Sequence, residues 1–339
     1  MVTRLLVGLV AALLSASALA DPGMQVLERW KIGGAGGWDY LTADATHRLF
    51  LSRGTQVDVV DTHTGKVLGT IANTQGVHGI ALAPDLHRGF TSNGRANSVT
   101  AFDLDTLQTI QEAKVPAQNP DAILYEPMGK HVFTFDGRSK DVTVLDASTL
   151  AVVATIAVPD KPEFAQDDHA GHIYVNIESD PGQMVEIDSH KLTVMATWPL
   201  PGCNSPSGLA IDRRHHRLFS VCDGNVMAVT NGQTGAQVAR VPIGKGPDAA
   251  AYDEKRALVF SSNGEGTLTV VHQDDADHYT VVDTVKTQAG ARTMALGPDG
   301  RVYLVTAEFG PAPAATAEQP RPRPTPLPDS FTVLVVASH

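Results

Sequence analysis

GFTSNG at residues 89–94 is one copy of a run that returns as LFLSRG (49–54), VFTFDG (132–137), LFSVCDG (218–224) and VFSSNG (259–264). Its aromatic residue marks the whole chain, because Phe50, Phe90, Phe133, Tyr174, Phe219, Phe260 and Tyr303 follow one another at spacings of 40, 43, 41, 45, 41 and 43. In most copies the aromatic lies in a short apolar stretch that ends in a polar turn. A second apolar stretch precedes it, and a third follows about ten residues later, the spacing of strands joined by short turns. The third stretches read VDVVD (57–61), VTAFD (99–103), VTVLD (142–146), MVEID (184–188), VMAVT (226–230), LTVVH (268–272) and FTVLVV (331–336). A fourth often follows, as in KVLGTI (66–71), LAVVATIAV (150–158) and LTVMATWPL (192–200).

Four short strands per unit, repeated at this period, is the requirement of a propeller blade. A lone blade cannot bury both apolar faces, whereas a closed ring of blades can. A pair of β-sandwich domains predicts no such even spacing. The expected fold class is therefore all-β: a seven-bladed β-propeller of four-stranded blades, occupying residues 21–339 as a single domain. The last unit lacks a fourth strand after FTVLVV, but residues 24–32, MQVLERWKI, read like one placed at the other end of the chain. Pairing the two closes the ring and removes the open edge between first and last blades.

With those runs in view, the chain resembles the YVTN-repeat, YncE-like propellers. The aromatic-Val-Thr-Asn signature of that family is approached at Phe90 to Gly94, Phe133 to Gly137, Tyr174 to Asn176 and Phe260 to Gly264. Its PDG turn stands at Pro298-Asp299-Gly300 and in part at Pro84-Asp85, and its strand-ending Asp at Asp61, Asp103, Asp146 and Asp188. The resemblance covers nearly all of the chain beyond residue 20. It implies the fold and an extracytoplasmic binding or scaffold role, and it names no chemistry.

Residues 1–20 carry Arg4, an apolar run and Ala18-Leu19-Ala20, the pattern of a secretory signal peptide. Its apolar core is shorter than the roughly 20 residues of a spanning helix. A periplasmic or secreted, monomeric protein with no membrane span is expected. Removing this segment leaves 25 basic against 37 acidic residues, a formal charge of −12. With no basic run to offset it, that charge argues against nucleic acid as a partner. Covalent c-type haem is excluded by the absence of C-x-x-C-H, and no phosphate loop or G-x-S-x-G elbow occurs.

The chemistry gathers at the residue that enters the first strand of each unit. These inlet positions are Asp39, His78, Asp121, Glu163, Ser207, Asp248 and Arg292. In a propeller they converge on one mouth of the central channel. Such a ring can hold a hard divalent cation, or a small molecule or partner protein through hydrogen bonds. Alternatively it can perform lactonase-like or lyase-like acid–base chemistry, with a carboxylate or His78 as base and Arg292 on an anionic group. His47, His87, His172, His215 and His216 belong to different units on the opposite rim, which argues against a shared metal there.

Two further features stand out. The cysteines, Cys203 and Cys222, belong to one unit, where antiparallel pairing of its first two strands brings them to the same rim. A disulfide is expected in an oxidising compartment. Residues 310–329, GPAPAATAEQPRPRPTPLPD, form a Pro-rich insertion between the second and third strands of the last unit, on the same face as the inlet ring. It is expected to be extended and unpaired.

Overall fold

The computed structural model describes residues 23–34, 36–314 and 324–338, so residues 1–20, read above as a signal peptide, and Arg321 and Arg323 of the insertion lie outside the described residues. Each recurring aromatic sits in the second strand of an antiparallel unit, buried to 3% exposure or less. One unit illustrates the pattern: Pro120–Glu126, His131–Asp136, Asp141–Asp146 and Val152–Ala157 hydrogen-bond in chain order. Alternation within its strands sends Phe133, Phe135, Val142 and Val144 towards the next sheet, where Ile173, Val175 and Val185 meet them.

Local chemistry explains the recurrent letters. Thr91 Oγ1 donates to Asn93 Oδ1 at 3.0 Å while Asn93 Nδ2 donates to Thr100 Oγ1 at 2.9 Å, tying the second strand to the third. Ser261, Asn263 and Thr269 repeat the arrangement. The strand-ending Asp closes the next turn: Asp61 Oδ1 accepts from the backbone of His63 and Thr64 and from the Thr64 hydroxyl. Asp103 and Asp146 repeat it with Thr106 and Thr149.

Among the described residues the strands form six sheets, five of four strands and one of seven. Seven separate sheets were expected. The difference arises at Val67–Ala83, one 17-residue strand whose early residues pair with Gly54–Asp61 and whose later ones pair with Arg88–Asn93. Residues 73–76, NTQG, continue as strand between the two pairings, where the junctions between the other units leave the strand conformation. The two halves of this sheet nonetheless face each other, since Phe50, Val59 and Ile71 pack with Ile80 and Phe102.

The first strands follow one another around a centre. Val67–Ala83 lies against Pro120–Glu126, and Pro162–Asp167, Asn204–Asp212, Pro247–Asp253, Thr293–Leu296 and Leu41–Ala43 come next, the last touching Val67–Ala83 again. Glycine permits the close approach: a Cβ on Gly208 would stand 2.6 Å from the Ala249 Cα. The N-terminal strand Gln25–Lys31 pairs antiparallel with Thr332–Ala337, with Trp30 opposite Val333. Trp30 is 8% exposed and its ring lies 5.7 Å from that of Tyr303. Chain start and chain end thus share one sheet.

Cys203 and Cys222 form a disulfide with a Cα–Cα distance of 5.3 Å. The base of the Pro-rich insertion departs from the expectation of an unpaired segment. Phe309 and Pro326 make an isolated bridge, with Gly310 N donating to Thr325 O at 3.0 Å and Leu327 N to Glu308 O at 2.7 Å. The physical reason is that Leu327 keeps the N–H that its proline neighbours lack, while Thr325 supplies a carbonyl acceptor.

Candidate functional site

Six of the seven inlet residues form one electrostatic cluster. His78 Nδ1 donates to Asp39 Oδ2 at 2.6 Å and lies 3.6 Å from Asp121 Oδ1. Asp121 is 8% exposed, and its carboxylate accepts no hydrogen bond among the described residues. Across the ring, Lys161 Nζ lies 2.7 Å from Glu163 Oε2 and also contacts Glu178, while Arg292 reaches Asp248 at 3.4 Å. Ser207 stands apart from these charges. Its hydroxyl faces the backbone carbonyls of Val221 in its own sheet at 3.5 Å and of Pro247 in the neighbouring sheet at 3.3 Å.

Three residues of this mouth were not singled out by the sequence. Tyr40 follows Asp39, packs its ring 5.4 Å from Phe164, and makes no hydrogen bond through its hydroxyl among the described residues. Burial, and then the charges of Asp121, Glu163, Asp39 and Asp248, hold its phenol well above the ordinary range. An aromatic one place beyond an inlet position was the available signal, since the equivalent residues include Gly79, Ala122, Gly208 and Ala249. Lys161 and Glu178 lie in turns beside the ring and carry no repeat signal.

The cluster bends the protonation of its members. Burial pushes Asp121 up, His78 and Lys161 pull against it, Asp39 adds repulsion, and the carboxyl is raised to about 6. Glu163 is raised to about 8 by burial and by the charge of Asp121, with Lys161 offsetting part of the cost. For His78 burial opposes the charged form, but the Asp39 hydrogen bond and the surrounding carboxylates outweigh it and raise the imidazole. Arg292 is held charged by Asp248. Asp39, His78 and Asp121 each offer one atom within 4.8 Å of the others, so this corner could hold a divalent cation.

Beneath the charged mouth the centre is apolar and narrow. Tyr40, Ile80, Ile123, Phe164 and Met294 line a space of about 60 Å³. Outward from His78 and Asp39 opens a depression of about 490 Å³ bordered by Trp38, Arg95, Gln118, Asn119 and Arg138. The larger space for a ligand is thus the depression beside the mouth.

No protein-family model matches the chain, and no curated protein matches it. Among solved structures it is similar to a chain of Kuenenia stuttgartiensis hydrazine synthase, with 20% identity, a TM-score of 0.70, and coverage of 79% of this chain and 92% of that one. It is also similar to a chain in a crystal structure of the mitotic checkpoint complex, at 13% identity and a TM-score of 0.76, with both chains covered fully. The fold is of the β-propeller type. At these identities the likeness carries the architecture and leaves the chemistry to the residues. Among the described residues no helix is long and apolar enough to cross a membrane.

Proposed function

We propose that this chain is an exported, monomeric, seven-bladed β-propeller of the YVTN-repeat kind that binds a small ligand over the inlet ring. The seven-blade reading divides the seven-stranded sheet at residues 73–76 and is supported by the packing of its two halves against each other. Export is supported by the signal-like residues 1–20 and by the Cys203–Cys222 bridge, which favours an oxidising compartment.

The observation that carries the binding reading is Tyr40. A phenol with no hydrogen bond stands among four carboxylates and near Arg292, on an apolar floor. Gathering like charges in a partly buried mouth costs folding free energy, and such perturbed clusters concentrate at functional sites. The test is a thermal-shift screen of the mature protein against divalent cations, lactones, sugars and cofactors, in which a ligand at about 100 times its Kd adds about 2.7 kcal/mol. Asp121→Ala combined with Asp248→Ala then abolishes binding of the hit with the fold retained. Unchanged affinity in that variant refutes the reading.

Catalysis is the second reading, favoured by the Asp39-oriented imidazole of His78 beside Glu163, whose carboxyl holds a proton near neutral pH. One base and one acid on the same mouth suit lactone opening or elimination. Turnover of a bound lactone or uronate, lost in His78→Asn while binding persists, selects this reading over simple capture.

A further inference from the structure

The depression beside the ring differs from the rest of this acidic surface. Arg95 and Arg138 both border it, both are exposed, and neither side chain makes a hydrogen bond or ion pair among the described residues. Several other arginines are paired, Arg48 with Asp44, Arg213 with Asp167, Arg217 with Asp277 and Arg256 with Asp253, while the exposed Arg214 and Arg240 have no side-chain partner among the described residues and border no such depression. What sets Arg95 and Arg138 apart is that both border one concavity on a chain with 37 carboxylate side chains. The guanidinium fork matches a carboxylate in two parallel hydrogen bonds.

The remaining wall narrows the class. Gln118 and Asn119 make no side-chain hydrogen bond among the described residues, so each presents an amide with both donor and acceptor, the complement of a hydroxyl. Trp38 adds a flat apolar face, fixed by Phe331 at 5.2 Å and Phe309 at 6.0 Å. Asp39 and His78 form the side nearest the ring, where a second anionic group would meet a carboxylate but a hydroxyl would donate to it. The volume of about 490 Å³ suits a single sugar-sized molecule.

We infer that this depression binds a monoanionic sugar acid, its carboxylate on Arg95 and Arg138, its hydroxyls on Gln118, Asn119 and Asp39, and its carbon face on Trp38. The inference rests on the reading of the mouth as a ligand site and names the class of ligand. It places the acid group outward and the hydroxyl end beside His78.

The experiment is isothermal titration calorimetry of the mature protein with D-glucuronate, with D-glucose and acetate as partial probes. Glucuronate is expected to bind at least about tenfold more tightly than glucose or acetate, since each lacks one half of the contacts. Arg95→Ala with Arg138→Ala lowers glucuronate affinity by about tenfold or more and leaves the melting temperature unchanged, because neither side chain supports the fold. Arg95→Lys with Arg138→Lys recovers part of that loss by restoring charge without the fork. Failure of glucuronate to bind at about 10 mM overturns the sugar-acid assignment. Wild-type affinity in the double alanine variant overturns the arginine assignment. Either failure leaves the ring reading standing if another ligand of the screen is lost with Asp121→Ala and Asp248→Ala.

Discussion

Replacing Glu163 by Gln keeps the side chain's shape and removes its charge, which makes it a direct probe of what the ring costs the fold. The Glu163 side chain is 15% exposed, and its carboxyl rises from the ordinary 4.5 to about 8. A raised carboxyl means that the folded state holds the proton more tightly than the unfolded chain does. Stability from this group is therefore full below pH 4.5 and is lost as pH rises towards 8. Each tenfold gain in proton affinity corresponds to about 1.4 kcal/mol, so the penalty at pH 7 is on the order of 3 kcal/mol. Gln carries no such penalty, and Lys161 retains Glu178 as its partner. At pH 7 the variant is expected to melt roughly 5 °C above wild type, converting free energy with the unfolding entropy of a chain of this length. At pH 4.5 the two should melt together. Differential scanning calorimetry at several pH values measures this difference. A gap that is constant from pH 4.5 to 8.5, or a variant less stable at every pH, refutes the argument that burial and Asp121 outweigh Lys161 here.

Three other outcomes follow from the fold. Cys203→Ser with Cys222→Ser lowers stability by about 3 kcal/mol in the loop-entropy account, because the bridge closes a loop of 18 intervening residues; chemical denaturation with an unshifted midpoint would contradict it. Trp30→Ala costs about 3–5 kcal/mol and exposes the sheet shared by the chain's two ends, so light scattering should detect association that wild type lacks. Asp136→Asn gains stability over wild type at pH 8 relative to pH 5, since burial raises this carboxyl to about 7, and it leaves ligand affinity unchanged. Matched melts at the two pH values would contradict that.

Much of the architecture was legible because the blade solves its own hydrogen bonding in a few recurring letters. Thr91 with Asn93 and Ser261 with Asn263 satisfy the end of a second strand, Asp61 and Asp103 satisfy the turn after a third, and the aromatic fills the gap between sheets. The merging of two units through Val67–Ala83 carried no repeated signal comparable to the recurring aromatic. At the ring, the inlet positions could be read from register, but register says nothing about reach. Ser207 sits at the right place with a side chain too short to leave the backbone, and Lys161 sits off the register with one long enough to join. Tyr40 was hidden because period-two alternation assigns its neighbour, not itself, to the ring.

Burial and a raised pKa alone do not mark a site in this molecule, as two carboxylates make clear. Asp136 is fully buried and raised to about 7, yet it accepts the hydroxyl of Thr134 and both the N–H and the hydroxyl of Thr143. It occupies the place where Asn93 and Asn263 stand in other units, and its hydrogen-bonding capacity is consumed by its own sheet. Asp121 is almost as buried and raised to about 6, but among the described residues no protein donor reaches it within hydrogen-bond distance, and His78, its nearest partner, is engaged by Asp39. A strand can be completed by its neighbours, so Asp136 needs nothing more. Asp121 keeps its side chain 12% exposed at the mouth, open to solvent, a proton, a cation or a hydroxyl of a ligand, and the last two are the events that binding assays on this protein should detect.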